Sequence, residues 1–368
     1  MELDTSNKIG APQLAELLDF SLKTRWEGAD DRLPAVMIWG PPGAGKSAIV
    51  RSVAEANGCN FIDLRLAQME AIDIKGLPVP EKDGVRWKIS AAYPRDPASK
   101  GILFLDELSA CDRTIQTAAY ELILDRKLGE DYRLPDGWLI VAAGNRTEDG
   151  ASAVAMSSAL ANRFLHVELD YDSKGWLDWA LHNDIHGAVI GLIRFKPTLL
   201  ADMNENKQNL ERGFPTPRSW ERVSFLLNRM KNSSEELLRT AVCGLVGNSA
   251  GLELISFYHF YEEMQKIVHM MLDPNEQVVI PADLVKRYAL TTALSRMVWD
   301  QSVGTEEQRF SGFYRISVEL PGDFAAMSML DALEYGGKAG NANMKFISHP
   351  AYQEWLKKHG KALRGRSK

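Results

Sequence analysis

A short hydrophobic strand that runs into a glycine-rich turn and then a helix constrains this chain more than any other feature. Ala35-Val36-Met37-Ile38-Trp39 leads into Gly40-Pro41-Pro42-Gly43-Ala44-Gly45-Lys46-Ser47, and Ala48, Ile49, Val50 and Val53 continue at helical spacing. A polyphosphate needs several N–H donors converging on it. The backbone must therefore curl around it, and glycine allows that curl at low steric cost. The helix N-terminus adds a favourable dipole. In such a loop the Lys46 ammonium reaches the β- and γ-phosphates, and the Ser47 hydroxyl holds Mg²⁺. The backbone from Gly40 through Pro41, Pro42, Gly43, Ala44 and Gly45 to Ala48 lines the cradle. The strand before and the helix after argue against a mere Gly/Pro turn with an exposed lysine. Nucleotide binding on an α/β fold is the expectation.

Composition narrows the class. A chain of 368 residues has room for roughly two domains. Its 45% apolar and 25% charged content is that of an ordinary globular protein. No apolar run approaches the roughly 18 residues that span a bilayer, so no membrane insertion is expected. The start, Met1-Glu2-Leu3-Asp4-Thr5, is acidic and polar and does not read as a secretory signal. Cys59, Cys111 and Cys243 are scattered and odd in number, which suits buried thiols in a reducing, cytoplasmic setting. His182 and His186 lie four positions apart on an expected helix. Surface or capping roles suit them better than a metal. A net charge of −6 gives no global sign of nucleic-acid binding. The basic tail from Lys357 to Lys368 is either a solvated end or a contact for an acidic partner.

Periodicity predicts a helix over 11–26, a strand at 35–39, a helix from the loop to about Asn57 ended by Gly58, and a strand at 60–66. Residues 76–80 and 82–87 read as a hairpin or as paired loops, turning at Asp83-Gly84. Ile102-Leu103-Phe104-Leu105-Asp106 is a continuous apolar run, as in a strand buried on both faces of a parallel sheet. A helix at about 113–125, a charged excursion over 127–133, a strand at 138–143, a small-residue helix near 153–162 and a strand at 164–169 follow. Alternating strands and helices give a mainly parallel, five-stranded sheet flanked by helices over 1–170. From Tyr171 the pattern is helical, so 171–368 is expected to be a second, all-helical domain.

Chemistry-bearing residues fall at expected strand ends, where ligands of parallel sheets bind. Asp106 is placed to organise Mg²⁺, and Glu107 to polarise an attacking water. Asn145, after the fourth expected strand, can orient that water or touch the γ-phosphate. Arg163 precedes the fifth, and Arg218, in Thr216-Pro217-Arg218-Ser219, opens a helix of the second part. A guanidinium can spread transition-state charge.

Together these segments resemble the AAA+ ATPases. Gly40–Ser47 is similar to Walker A, Ile102–Glu107 to Walker B, Asn145 to sensor 1, Arg163 to the arginine finger and Arg218 to sensor 2. Within that family the chain is most similar to the MoxR branch of the helix-2-insert clade. Residues 67–95 and 127–136 fit the branch's two insertions. Asp106-Glu107-Leu108-Ser109, continuing to Gln116 and Glu121, parallels a segment that usually begins Asp-Glu-Ile-Asn-Arg-Ala; its Asn-Arg is Ser109-Ala110 here. The usual Asp-Arg-Phe at the finger is Asn162-Arg163-Phe164. The resemblance spans about 9–230. Residues 250–368 show neither a second phosphate loop nor an Asp-x-Ser-x-Ser motif, and read as a lid with a C-terminal extension.

The resemblance implies an ATP- and Mg²⁺-dependent ATPase whose sites lie between subunits of a ring, a hexamer in the family's manner. Lys46, Ser47 and Asp106 would hold nucleotide and metal, Glu107 and Asn145 would handle water, Arg163 would serve the neighbouring subunit, and Arg218 would couple the lid to nucleotide state. Members act on protein clients, chaperone-like, or in metal insertion, with a partner carrying a von Willebrand factor A domain. Trp87, Leu77 and Tyr132 are candidates for client contact, local packing being the alternative, and Ile9-Gly10 for adenine contact. A nucleic-acid-translocating or restriction-associated motor is a competing expectation that the acidic charge disfavours. A non-hydrolysing ATP-gated scaffold is another, disfavoured by the presence of Glu107, Asn145 and Arg163.

Overall fold

The computed structural model describes residues 7–28, 32–82, 84–146, 154–201, 213–230, 233–270, 272–337 and 342–366. The chain divides into two compact units, Met1–Asp172 and Ser173–Lys368. Asp83, half of the expected hairpin turn, and the start of the small helix expected near 153 lie outside the described residues, as do Ser367 and Lys368.

In the first unit the elements are β1 (Lys8–Ile9), α1 (Ala11–Trp26), β2 (Ala35–Trp39), α2 (Lys46–Ala56), β3 (Asn60–Arg65), α3 (Ala71–Lys75), β4 (Leu77–Glu81), β5 (Gly84–Lys88), β6 (Gly101–Asp106), α4 (Arg113–Asp125), β7 (Lys127–Leu128), β8 (Tyr132–Arg133), β9 (Trp138–Gly144), α5 (Ser158–Ala161) and β10 (Phe164–Leu169). The main sheet is parallel, in the order β1-β10-β2-β9-β6-β3. It has six strands where five are expected. The sixth is β1, whose Lys8 and Ile9 pair with Glu168 and Leu169 at the sheet edge.

Strand alternation builds a core on each face. Val36, Ile38, Ile102, Phe104, Leu139 and Val141 pack with Leu14, Leu18 and Leu22 of α1 and with Val50 and Val53 of α2. Met37, Leu103, Leu105, Ile140 and Ala142 pack with Ile115, Ala118, Ala119 and Leu122 of α4. Each large aliphatic side chain buried this way stabilises the fold by roughly 1.5–3 kcal/mol. Asp112 caps α4, its Oδ1 accepting from Thr114 N–H at 2.8 Å and Ile115 N–H at 3.0 Å.

Both small excursions are antiparallel hairpins, β4–β5 and β7–β8. The first displays apolar side chains: Leu77 is 55% exposed, Val85 61% and Trp87 42%. Tyr132 in the second corrects the expectation of a client-facing ring. It is buried, stacks at a tilt on Tyr93, and donates its hydroxyl to Pro94 O at 3.0 Å. An aromatic in a charged stretch reads as a surface residue until the neighbouring segment that covers it is known.

The second unit is helical: α6 (Ser173–His182), α7 (Gly187–Phe195), α8 (Pro217–Arg229), α9 (Glu235–Val246), α10 (Asn248–Met270), α11 (Leu284–Met297), α12 (Glu306–Ser317), α13 (Gly322–Gly337), α14 (Ala342–Ile347) and α15 (Pro350–Arg366). Helix α7 is buried from Gly187 to Ile193. A Cβ on Gly191 would stand 2.7 Å from the Phe257 ring, so helix approach sets that glycine. Arg194 and Asp331 form a buried ion pair. His186 caps α7, its Nδ1 accepting from Ala188 N–H at 3.1 Å. The basic tail up to Arg366 is the end of α15, anchored by buried Trp355 and by His359 at 2.9 Å from Val318 O. Among the described residues no helix is long and apolar enough to cross a membrane, and no cluster of three or more His, Cys, Asp or Glu is arranged for a metal.

Candidate functional site

The carboxyl ends of β2, β6 and β9 converge, because these strands are parallel neighbours. From β2 the chain enters the loop, whose Gly40 N–H donates to Gly144 O at 3.2 Å. Gly43 and Gly45 take φ of +78° and +92°, in the left-handed region that glycine alone enters cheaply. That curl delivers the first turn of α2, whose amides have no intrahelical acceptor.

Side-chain hydrogen bonds also tie this loop to the neighbouring strand ends. Ser47 Oγ donates to Asp106 Oδ2 at 2.9 Å. Lys46 Nζ donates to Asn145 Oδ1 at 2.8 Å, and also to Gly40 O at 2.5 Å and Pro41 O at 3.1 Å. The Lys46 residue is 8% exposed, so its charge is held by oxygens rather than by bulk water. Asp106 Oδ1 accepts the N–H of Glu107 at 2.9 Å. Glu107 has φ of +60°, rare for a residue with a side chain and costing about 1–2 kcal/mol. The turn it starts is held by Leu108 N–H to Ala143 O at 2.9 Å. Lys46, Ser47, Asp106, Glu107 and Asn145 thus form one cluster.

Arg163 is not in that cluster. Because β10 runs parallel to β2, with Phe164 beside Ala35, Arg163 stands at the amino ends of the strands. Ala35 is five residues before Gly40, or about 17 Å at the usual strand rise. No arginine side chain covers that span. Arg163 is exposed and opens on a cavity of about 400 Å³ that Arg25, Arg32 and Arg126 also line. Arg218 belongs to the second unit, exposed on the first turn of α8, whose cap Thr216 accepts from Ser219 N–H at 3.0 Å. Ile9, the adenine candidate, lies in β1 with its carbonyl accepting from Asp170 N–H at 3.2 Å.

Four residues at the site escape sequence reasoning. Ser109 Oγ accepts from Asn145 N–H at 2.9 Å and donates to Asn145 O at 3.0 Å, which fixes the backbone that aims Asn145. Tyr171 donates its hydroxyl to Pro42 O in the loop at 3.0 Å. His166 bonds Trp39, the residue before Gly40. Asp63, on the α2 face of β3, has an Oδ1 that is buried without a hydrogen-bond partner. Only the last carries a signal, a carboxylate set between Ile62 and Leu64 in an expected strand.

Burial and then the charge of Asp106 push the Asp63 carboxyl above the usual carboxylate range. A raised acid pKa in the folded state makes stability fall as pH rises through it; the cost is complete above the folded pKa and vanishes below the unfolded one. Asp63→Asn is therefore expected to raise the melting temperature of the ligand-free protein at neutral pH, by roughly 2–4 °C for each kcal/mol relieved. The gain should close as pH drops below the carboxylate range. Melting curves across pH test this, and an equal offset at every pH would refute it.

Residues 35–164 match the AAA domain (dynein-related subfamily). Midasin from Giardia intestinalis is 27% identical over 155 residues, covering 40% of this chain and 3% of that protein. Midasin from Dictyostelium discoideum is 22% identical over 147 residues, covering 37% and 2%. The chain thus spans only a few per cent of these relatives' length. Among solved structures, NtrX from Brucella abortus in complex with ADP aligns at a TM-score of 0.37 and 14% identity, over 95% of this chain and 69% of that one. The Thermotoga maritima RuvB Holliday junction branch migration motor aligns at 0.36 and 18%, over 82% and 87%. The segment that holds Gly40–Ser47, the Asp106-Glu107 pair, Asn145 and Arg163 is the one that matches an AAA domain of the dynein-related subfamily.

Proposed function

We propose that this chain binds and hydrolyses ATP as a subunit of a hexameric, MoxR-like AAA+ ring, and uses the cycle to remodel a protein client together with a partner bearing a von Willebrand factor A domain. The observation that carries the hydrolytic reading is the pair of bonds Ser47–Asp106 and Lys46–Asn145, with Glu107 beside them. Phosphate binding needs only the loop. The acidic and amide groups at the adjoining strand ends are what hydrolysis adds.

The donor set fits Mg²⁺. The Ser47 hydroxyl and Asp106 carboxylate are hard oxygen donors, and the orphaned Oδ1 of Asp63 leaves a nearby acceptor for a hydrated cation. Bound there, Mg²⁺ would supply charge neutralisation to the phosphates. The chain's own groups do the rest. First-turn amides of α2 and the Lys46 ammonium hold phosphate oxygens. Glu107 accepts a proton from the attacking water, and Asn145 orients that water or the γ-phosphate. Arg163, remote from its own loop, completes the site of the next subunit. Arg218 couples the helical unit to nucleotide state. The exposed Leu77, Val85 and Trp87 of the β4–β5 hairpin offer an apolar surface to a client.

Lys46→Ala tests the foundation. Hydrogen bonds to charged groups contribute about 1.5–3 kcal/mol, so ATP affinity should fall roughly 10- to 100-fold. The change also strips a donor from Gly40 O, Pro41 O and Asn145 Oδ1. Titration with a fluorescent ATP analogue reads the loss, and native-like affinity would remove the loop from the mechanism.

A further inference from the structure

We propose that His166 is a positioning residue for Arg163 and holds it in register with the phosphate loop of the same chain. This rests on the reading of Arg163 as the group that completes a neighbour's site.

His166 sits in β10 opposite Met37, with its ring on the α4 face of the sheet. Both ring nitrogens are engaged. Nδ1 lies 2.9 Å from Trp39 Nε1, and Nε2 lies 2.8 Å from Ala161 O. The indole N–H can only donate, so Nδ1 is the acceptor and the proton sits on Nε2, donated to the Ala161 carbonyl. The His166 and Trp39 rings stack with centroids 6.1 Å apart and planes within 9°. Phe164 closes on the imidazole edge-on at 6.0 Å.

The two partners belong to opposite ends of the sheet. Trp39 is the last residue of β2, and Gly40 begins the phosphate loop next to it. Ala161 ends α5, and the turn from Ala161 to Phe164 carries Arg163. That turn is closed by Arg163 N–H to Leu160 O at 3.1 Å and by the imidazole on Ala161 O. A planar ring bonded at both nitrogens cannot follow one partner without pulling on the other or breaking a bond. A shift of the loop as nucleotide arrives or leaves would thus reach the base of Arg163 through one side chain. The finger offered to the next subunit would depend on the state of its own subunit's loop.

A positioning role has a signature that a packing role lacks: it acts on the neighbour's turnover. Mix Glu107→Gln chains, which supply Arg163, with Arg163→Ala chains, which keep Glu107. Recovered turnover in the parent mixture establishes completion in trans; without it that reading of Arg163 falls, and this proposal with it. His166→Phe placed on the finger-supplying chain should cut the recovered turnover about tenfold or more, the scale of an ångström-sized misplacement. Placed on the hydrolysing chain it should cost less than about twofold, with ATP affinity unchanged in both. His166→Gln keeps an amide donor for Ala161 O and should restore most of the turnover, whereas the shorter His166→Asn should not. Equal losses on the two chains, no loss on the finger-supplying chain, or a Gln variant as poor as Phe would each overturn the proposal.

Discussion

Glu107→Gln is expected to abolish steady-state ATP turnover, by about 10²- to 10⁴-fold, while ATP affinity stays within a few-fold of native. The amide has nearly the carboxylate's shape but no basicity. It cannot take the proton of the attacking water. The substitution should fold normally, since Glu107 is held by backbone rather than by its side chain: its N–H goes to Asp106 and the next residue's N–H to Ala143 O. Glutamine also meets the same left-handed cost at φ of +60° that glutamate meets. The loop groups proposed to hold phosphate are untouched. Single-turnover hydrolysis and equilibrium binding of ATP separate the two effects. Native-like turnover would remove Glu107 from the role of base. Loss of binding together with turnover would make it a structural residue.

Much of this arrangement is legible in the sequence because it is local. The apolar run Ile102–Leu105 reads as a strand buried on both faces, which places Asp106 and Glu107 at its end. Asn145 follows from the same logic applied to Trp138–Gly144. What was not legible is what depends on contacts between distant segments or on elements too short for a period. β1 has two residues, and two residues carry no alternation. Tyr132 sits among charged residues, and its burial comes from Tyr93, which lies in another insertion. Ser109 looks like a departure from a family pattern until its hydroxyl is seen gripping Asn145 at both backbone atoms. Trp39 and His166 are separated by 127 positions, and only the parallel pairing of β2 with β10 brings them together. The chemistry of the site was written in strand ends. Its positioning was written in tertiary contacts.

Arg163→Ala should reduce turnover by roughly 10³- to 10⁵-fold, the range for losing an arginine that stabilises phosphoryl-transfer charge. On that reading, its place in the sheet sets the side from which the arginine acts. Parallel pairing puts Arg163 at the amino ends of the strands and the loop at their carboxyl ends, about 17 Å away. Within one chain the guanidinium cannot reach the phosphates, so removing it should leave ATP affinity of the isolated chain unchanged. Native turnover per chain should then rise with protein concentration as assemblies form, and the Arg163→Ala variant should stay flat. Arg163→Lys should recover little, because an ammonium lacks the planar fork that engages two oxygens at once. Mixing Arg163→Ala with Glu107→Gln chains supplies the decisive contrast. Each is inactive alone, yet a junction that pairs an intact Glu107 with a neighbour's intact Arg163 has every group the reaction needs. Turnover regained on mixing locates the finger in trans. Assembled mixtures that stay inactive, or an Arg163→Ala chain that hydrolyses ATP at the native rate, would return Arg163 to the cavity it shares with Arg25, Arg32 and Arg126 as a surface residue.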